Sequence, residues 1–287
     1  MRTHGTAMIL VYALGGGLGH LVRARAFLHT LDMEGDAAII TASHHASDPR
    51  VLGGIEAIAI PRELERDAAR CRAWIASLID ERRPAIFCVD AFPCGIVGEL
   101  AGEPLPHSGE RWHIARLLRW DEYSRFTAEP PHFDVTWKLE PLGEDHERWL
   151  RDISDDLREL ELHDPPCDDS PPGELPDGYW LVIHSGPSSE VEELASYAED
   201  LRAAEKSNAP IVVATVEPPD ALPAGAIVVS SIPATRLFAR AAKIVSAAGF
   251  NIMRQAHAYR DKQVVMPLPR RFDDQFERAR RARNALR

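Results

Sequence analysis

The chain has few cysteines, and none of the four forms a CxxC pair. Cys71, Cys88, Cys94 and Cys167 are scattered, which argues against a metal cluster and points to reduced thiols in a cytoplasmic setting. Long hydrophobic runs are missing as well: the apolar stretches are strand-sized, short of the roughly 20 residues that a membrane helix needs. Met1-Arg2-Thr3-His4 is unlike a secretory signal, because no small-residue cleavage site follows it. Positive charge is in the minority. Against 44 acids stand 33 basic residues, for a net charge of −11, where a nucleic-acid binder should show a basic face. One basic stretch, Arg270 to Arg287, has no apolar anchor beside it and reads as a solvated helix rather than a peripheral membrane contact. HExxH, GxSxG, the Walker A lysine motif and DxD are all absent, so no metal ligand set is expected.

What is present is an ordinary globular composition, 45% hydrophobic and 27% charged, over 287 residues, enough for two modest domains. Strand and helix patterns alternate along the first half. Ala7–Val11, Ala37–Ala42, Ile55–Ile60, Ala85–Asp90 and Val135–Leu139 read as strands; Arg62–Glu81, Cys94–Ala101 and Asp145–Leu162 read as helices. His163 to Gly178 carries five prolines among acids and glycines, which makes it an interdomain linker. Alternation then restarts, with strands at Tyr179–Ile183, Ile211–Val216, Ala226–Val229, Lys243–Ala247 and Gln263–Leu268. Helices are expected at Glu190–Lys206, Pro233–Ala241 and Phe272–Leu286, with another opening at Gly249. The expected division is an α/β domain over 1–165, a linker over 166–178 and a second α/β domain over 179–287. The final helix is expected to pack back on the first domain. Such an order implies two Rossmann-like parallel-sheet domains facing a cleft, with ligands beyond the carboxyl ends of the strands.

Chemistry gathers at those strand ends. After the first strand comes Gly15-Gly16-Gly17-Leu18-Gly19-His20-Leu21-Val22-Arg23, a glycine turn running into a helix. Gly16, Gly17 and Gly19 leave the backbone free for positive φ and for close approach to a ligand. His20 adds a titratable group where the ligand would sit. The GxGxxG register of a dinucleotide turn is not met, and no acid ends the second strand to hold a ribose. Asp90 ends a buried strand, placed either to orient His20, to hold a ligand hydroxyl, or simply to form the turn. In the second half, Ala248-Gly249-Phe250-Asn251 opens a helix and suits a phosphate. His184-Ser185-Gly186 follows another strand, and Asp274 with Gln275 follows the last.

Together these positions resemble the GT-B glycosyltransferases, in particular the group around the cell-wall N-acetylglucosaminyltransferase and a set of predicted glycosyltransferases. The GxGHxxR pattern at Gly17–Arg23 is also similar to the loop of the UDP-sugar hydrolase of pseudaminic acid biosynthesis. The resemblance implies an acceptor-side loop at Gly16, Gly17, Gly19 and Arg23. It implies a donor site formed by His184, Ser185, Gly186, Ile232, Ala248, Gly249, Phe250, Asn251, Gln255, Asp274 and Gln275. Within it, Ile232 lies beside the nucleobase, and Asp274 and Gln275 bind sugar hydroxyls. Where the family usually carries a ribose-binding glutamate, this chain has Gln255. The implied activity is inverting, metal-independent transfer of a sugar from a nucleotide diphosphate sugar, a UDP-sugar by expectation, to an unidentified acceptor. His20 would be the base and Asp90 its partner in the catalytic pair, with no cofactor beyond the donor itself. Trp112, Trp120 and Trp137 are candidates for an acceptor surface. Hydrolysis or epimerisation of a nucleotide sugar on the same fold, and a non-catalytic binding subunit, are the alternatives.

Overall fold

The computed structural model describes residues 8–106, 109–167 and 174–285. It divides into two compact units, Met1–Pro165 with Arg271–Asp273, and Pro166–Arg270 with Asp274–Arg287. The middle of the expected linker, residues 168–173, and the end of the expected last helix, residues 286–287, lie outside the described residues.

The first unit is built on seven parallel strands: β1 (Ile9–Tyr12), β2 (Ala37–Thr41), β3 (Glu56–Ala59), β4 (Ile86–Asp90), β5 (Glu110–Ala115), β6 (Phe133–Lys138) and β7 (Ser154–Glu159). They lie in the order β3-β2-β1-β4-β5-β6-β7. Ile-Leu-Val-Tyr of β1 is wholly buried, as an unbroken apolar run in a parallel sheet must be. One face of the sheet is covered by α3 (Ala68–Arg82), whose Cys71, Ile75, Leu78 and Ile79 pack with Leu10, Tyr12, Phe87 and Val89. Phe27 of α1 (Leu18–Thr30) meets Trp112 and Trp137 edge-on, with ring centroids 6.4 and 6.2 Å away. These two tryptophans are therefore packing residues of that helix, not a ready acceptor surface. The other α-helices among the described residues of the unit are the short α2 (Pro49–Leu52), α4 (Trp120–Tyr123) and α5 (Glu144–Asp152).

Two local expectations of this unit fail for physical reasons, and one strand lacks a sequence signal. Asp145–Leu162 is not one helix: α5 stops at Asp152 and the chain turns into β7. Leu150, Ile153 and Leu157 mimic helical spacing, but the acids of β7 belong to a sheet edge, where charge discourages further pairing. Cys94–Ala101 is a loop, not a helix. Gly95 and Gly98 there have φ of 85° and 87°, and the Glu99 carboxylate accepts the amides of Ile96 and Val97 and the Tyr12 hydroxyl. With no helix among the described residues between β4 and β5, the sheet face keeps a cavity of about 170 Å³ walled by Phe87, Val89, Leu100, Leu105 and Phe133. Strand β5 itself went unread, because Glu110-Arg111-Trp112-His113 masks its apolar half.

In the second unit β8 (Tyr179–Ile183), β9 (Ile211–Ala214), β10 (Ile227–Val229), β11 (Ala241–Ser246) and β12 (Gln263–Val265) form a parallel sheet in the order β10-β9-β8-β11-β12. Val191, Leu194, Ala195 and Ala198 of α6 (Ser188–Ala204) pack on Trp180, Val182 and Val213. The expected serine cap of α6 is not formed: Pro187 holds the cap position and makes no side-chain bond. Two helices follow, α7 (Phe250–Gln255) and α8 (Gln275–Asn284), and α8 groups with this unit, while only Arg271–Asp273 before it groups with the first. Both sheets are parallel throughout, and both reverse their strand order once, between β1 and β4 and between β8 and β11. Those reversals are where such sheets open a crevice at their carboxyl ends.

Candidate active site

In the first unit the reversal point is occupied by charge. His20 sits in the first turn of α1, which follows β1, and Asp90 is the last residue of β4, the strand beside β1. The His20 Nδ1 lies 2.7 Å from Asp90 Oδ2. Arg23, one turn on, donates from Nε to Oδ1 at 2.5 Å and from Nη2 to Oδ2 at 2.6 Å. Arg23 Nη2 also lies 3.1 Å from His20 Nδ1, which would require that nitrogen to accept. The shorter contact decides the tautomer: a carboxylate can only accept, and the guanidinium already has it as the better partner. Nδ1 therefore carries the hydrogen and Nε2 is the basic nitrogen.

The side chain of Asp90 is fully buried and that of His20 is 17% exposed, so only the histidine can meet a ligand. Burial pushes the Asp90 carboxyl up, but the Arg23 charge and the hydrogen bonds from His20 and Arg23 outweigh it and hold the group well below the usual carboxylate range. Burial lowers the His20 pKa, and the charges of Arg23 and Arg116 lower it further against the opposing pull of Asp90. The result is a neutral imidazole at pH 7 backed by a permanent carboxylate, the electrical state of a general base.

The glycines serve differently from expectation. None of Gly15, Gly16 and Gly17 has a positive φ, and Gly16 and Gly17 have open space where a side chain would stand. Gly15 is the demanding one: a Cβ there would overlap the His20 ring at Cδ2 and Nε2. The left-handed residue of the site is Ala91, with φ 64°, directly after Asp90. Such strain in a buried non-glycine residue is held only where the surroundings fix it, here by the hydrogen bond that the Ala91 N–H donates to the Ile114 carbonyl at 2.9 Å.

Four further residues complete this corner, and sequence reading did not find their roles. Phe92 lies 5.8 Å from the His20 ring, and the Arg116 guanidinium stands 5.4 Å over Phe92. Arg116 directly follows β5, so missing that strand hid it. Its Nη1 is bonded to Asp273, and Phe272 packs on Phe92, Tyr123 and Phe126. Trp120 is stacked flat against the buried His146, 4.4 Å away at 13°, so it too is a packing residue.

In the second unit the other reversal point gathers most of the expected donor residues. His184 follows β8, and its Nε2 lies 2.7 Å from Glu190 Oε2. Burial lowers its pKa against the pull of Glu190. Gly186 fits tightly here, since a Cβ would overlap the His184 ring and approach Glu190. Ser185 is half-buried between them. Gly249 is extended, with φ −66° and ψ 150°, and caps α7, which carries Phe250, Asn251 and Gln255. The turn is braced from α8: the Gln275 Oε1 accepts the amides of Ala248 at 3.2 Å and Leu268 at 3.0 Å, and Arg278 donates to the Ala248 carbonyl at 2.9 Å. Gln275 is thus buried, with its oxygen committed to backbone. Asp274 accepts the Glu277 amide at 3.0 Å and caps α8. Ile232 precedes Pro233 through a cis bond and is half-buried.

No family model and no curated protein matches the sequence. Solved structures do match. "Spinosyn Forosaminyltransferase SpnP" has a TM-score of 0.63 at 15% identity, covering 98% of this chain and 83% of its own. The S. aureus MnaA–UDP co-structure has a TM-score of 0.62 at 12% identity, covering 94% and 81%. Spinosyn rhamnosyltransferase SpnG complexed with thymidine diphosphate has 0.55 at 14%, covering 95% and 83%. The fold is GT-B. At these identities the likeness carries the architecture and nothing finer.

Proposed function

We propose that the chain is a glycosyltransferase that takes its sugar from a nucleotide diphosphate sugar. The observation that carries the reading is the His20–Asp90 pair: a neutral histidine, oriented by a buried carboxylate, at the sheet's reversal point in a GT-B unit. His20 Nε2 removes the proton of an acceptor hydroxyl as that oxygen attacks the anomeric carbon. The bond from anomeric carbon to phosphate oxygen breaks, and the pair of electrons leaves with the nucleoside diphosphate. One displacement inverts the anomeric configuration. Asp90 favours the imidazolium as it forms, and Arg23 keeps Asp90 ionised and in place. The diphosphate is received at the Ala248–Asn251 turn of the second unit. In this reading no divalent metal takes part, and UDP or TDP is the nucleotide. The names of the structural neighbours support the class, since SpnP and SpnG are called transferases and two neighbour structures hold UDP or TDP.

The test is release of nucleoside diphosphate from UDP- and TDP-sugars, with a chelator present, in the presence and absence of hydroxylated acceptors. Acceptor-dependent release that disappears in His20→Asn, with nucleotide binding retained, is expected. Equal release of free sugar without any acceptor would replace transfer by hydrolysis, and undiminished turnover in His20→Asn would remove the base.

A further inference from the structure

In the second unit, Arg270 holds Glu190 with both arms of its guanidinium, Nη1 to Oε1 at 2.6 Å and Nη2 to Oε2 at 2.5 Å. Glu190 lies in the first turn of α6 and also takes His184. We propose that Arg270 is the cation that meets the phosphates of a bound nucleoside diphosphate, and that Glu190 competes with those phosphates for it. The inference rests on the reading of this unit as the nucleotide-sugar half.

Position comes first. Ala248 and Leu268 donate to the same Gln275 oxygen, so their amides are no more than about 6 Å apart, the sum of two hydrogen bonds. Arg270 is two residues beyond Leu268. The exit of β12 is thereby fastened beside the Gly249 turn, and an arginine side chain starting there has the turn within its reach. The Glu190–His184 contact places the same guanidinium at the end of β8, the other strand of the reversal point.

Charge comes next. Helix α7 has only six residues, too few peptide dipoles to neutralise a diphosphate by themselves. A side-chain cation is needed, and Arg270 is one that the geometry fastens next to the turn. Its present partner shows the binding mode. A carboxylate occupies the planar fork through two parallel bonds, the arrangement a phosphate also takes. Glu190 stands in for the ligand and keeps the fork oriented. His184, neutral and donating to Oε2, gives Glu190 a remaining partner when the arginine turns to phosphate.

Calorimetric titration of the full chain with UDP and TDP, and in parallel with uridine and thymidine, tests this. Arg270→Ala should weaken the diphosphates by about ten- to a hundredfold, the worth of a charge-assisted bidentate contact, and leave the nucleosides unchanged. Glu190→Gln should tighten the diphosphates several-fold, a gain that misfolding cannot produce. Diphosphate affinity unchanged in Arg270→Ala, or diphosphate and nucleoside affinity lost in equal measure, overturns the arginine assignment alone. No tightening in Glu190→Gln overturns the competition. A wild-type chain that binds neither diphosphate overturns the assignment and the glycosyl-transfer reading together.

Discussion

Acidification from pH 7 to pH 5 should cost the first unit about 4 kcal/mol of stability, through two histidines that take no part in the chemistry. His113 on β5 and His146 on α5 are both wholly buried. His113 donates from Nδ1 to the Val89 carbonyl at 3.0 Å and stacks on Phe133, while its Nε2 has no partner among the described residues. His146 has none on either nitrogen. Burial pushes the pKa of His113 down to about 4 and that of His146 to about 3, against 6.5 for the free side chain. Both folded values are depressed, so the unfolded chain binds two protons below pH 6.5 that the folded chain refuses until about pH 4. Stability then falls with decreasing pH by about 1.4 kcal/mol per unit for each group. Over the 1.5 units from 6.5 to 5 that is about 2 kcal/mol apiece, out of a total of about 5–15 for a typical domain. Acids held low by partners, such as Asp90 and Glu277, lose their contribution only below their unfolded values near pH 4, outside this window. Urea denaturation at pH 7 and pH 5 and constant ionic strength, followed by tryptophan fluorescence, measures the difference. His146→Leu should reduce it by about 2 kcal/mol, the share of that histidine. The same variant should be no less stable than wild type at pH 7, because it removes two buried polar atoms that have no partner. Equal stability at the two pH values, or an undiminished difference in His146→Leu, would refute the argument.

Other outcomes follow from the first unit. Asp90→Asn removes the charge that faces buried Arg23 and should cost about 3–5 kcal/mol in denaturant titration; adding Arg23→Met should recover most of that stability but no turnover. Gly15→Ala should keep nucleotide affinity by calorimetry and lose turnover, since the added methyl overlaps His20. Arg116→Gln removes a positive charge that disfavours the imidazolium, so the acid limb of the kcat/KM profile should move to higher pH. Asp273→Asn removes the counter-charge of Arg116 and should move that limb the opposite way; shifts of the same sign would refute the coupling.

The sequence carried much of this arrangement where local chemistry and tertiary structure agree. The apolar run at β1 has one sensible reading, and of the three open to the acid closing β4 the first holds: Asp90 orients His20, with Arg23 on the same carboxylate. What stayed hidden depends on contacts far apart in the chain. Arg116 comes at the end of a strand whose charged first half conceals it, and its partner Asp273 lies 157 positions away. The neighbouring Asp274 looks equally chemical in sequence but caps a helix, and Gln275 is spent on bracing two amides. Arg270 read as part of a basic tail because its partner Glu190 is 80 residues off. Similar side chains a residue apart thus have different work, and only the direction in which each points separates them.

The lowered pKa of His20 looks at first like a weakness in a base. An imidazole below 6.5 has less affinity for the proton it must take, yet at pH 7 it is mostly unprotonated and ready. A sugar or alcohol hydroxyl is far more basic once ionised than any imidazole, so full proton transfer before attack is unfavourable whatever the exact value. The proton must move as the acceptor oxygen bonds to carbon and its own pKa collapses. What matters then is the stability of the imidazolium at that moment, not of the resting ring. Asp90 supplies it at 2.7 Å, from a carboxylate that Arg23 prevents from taking the proton itself. The two arginines around His20 accordingly have overlapping effects. Both bear on the resting state and keep the base free, and Arg23 in addition fixes the partner that makes the charged state tolerable. Exchanging either for a neutral residue should therefore move the pH at which activity appears upward, and exchanging Arg23 should also lower the maximal rate.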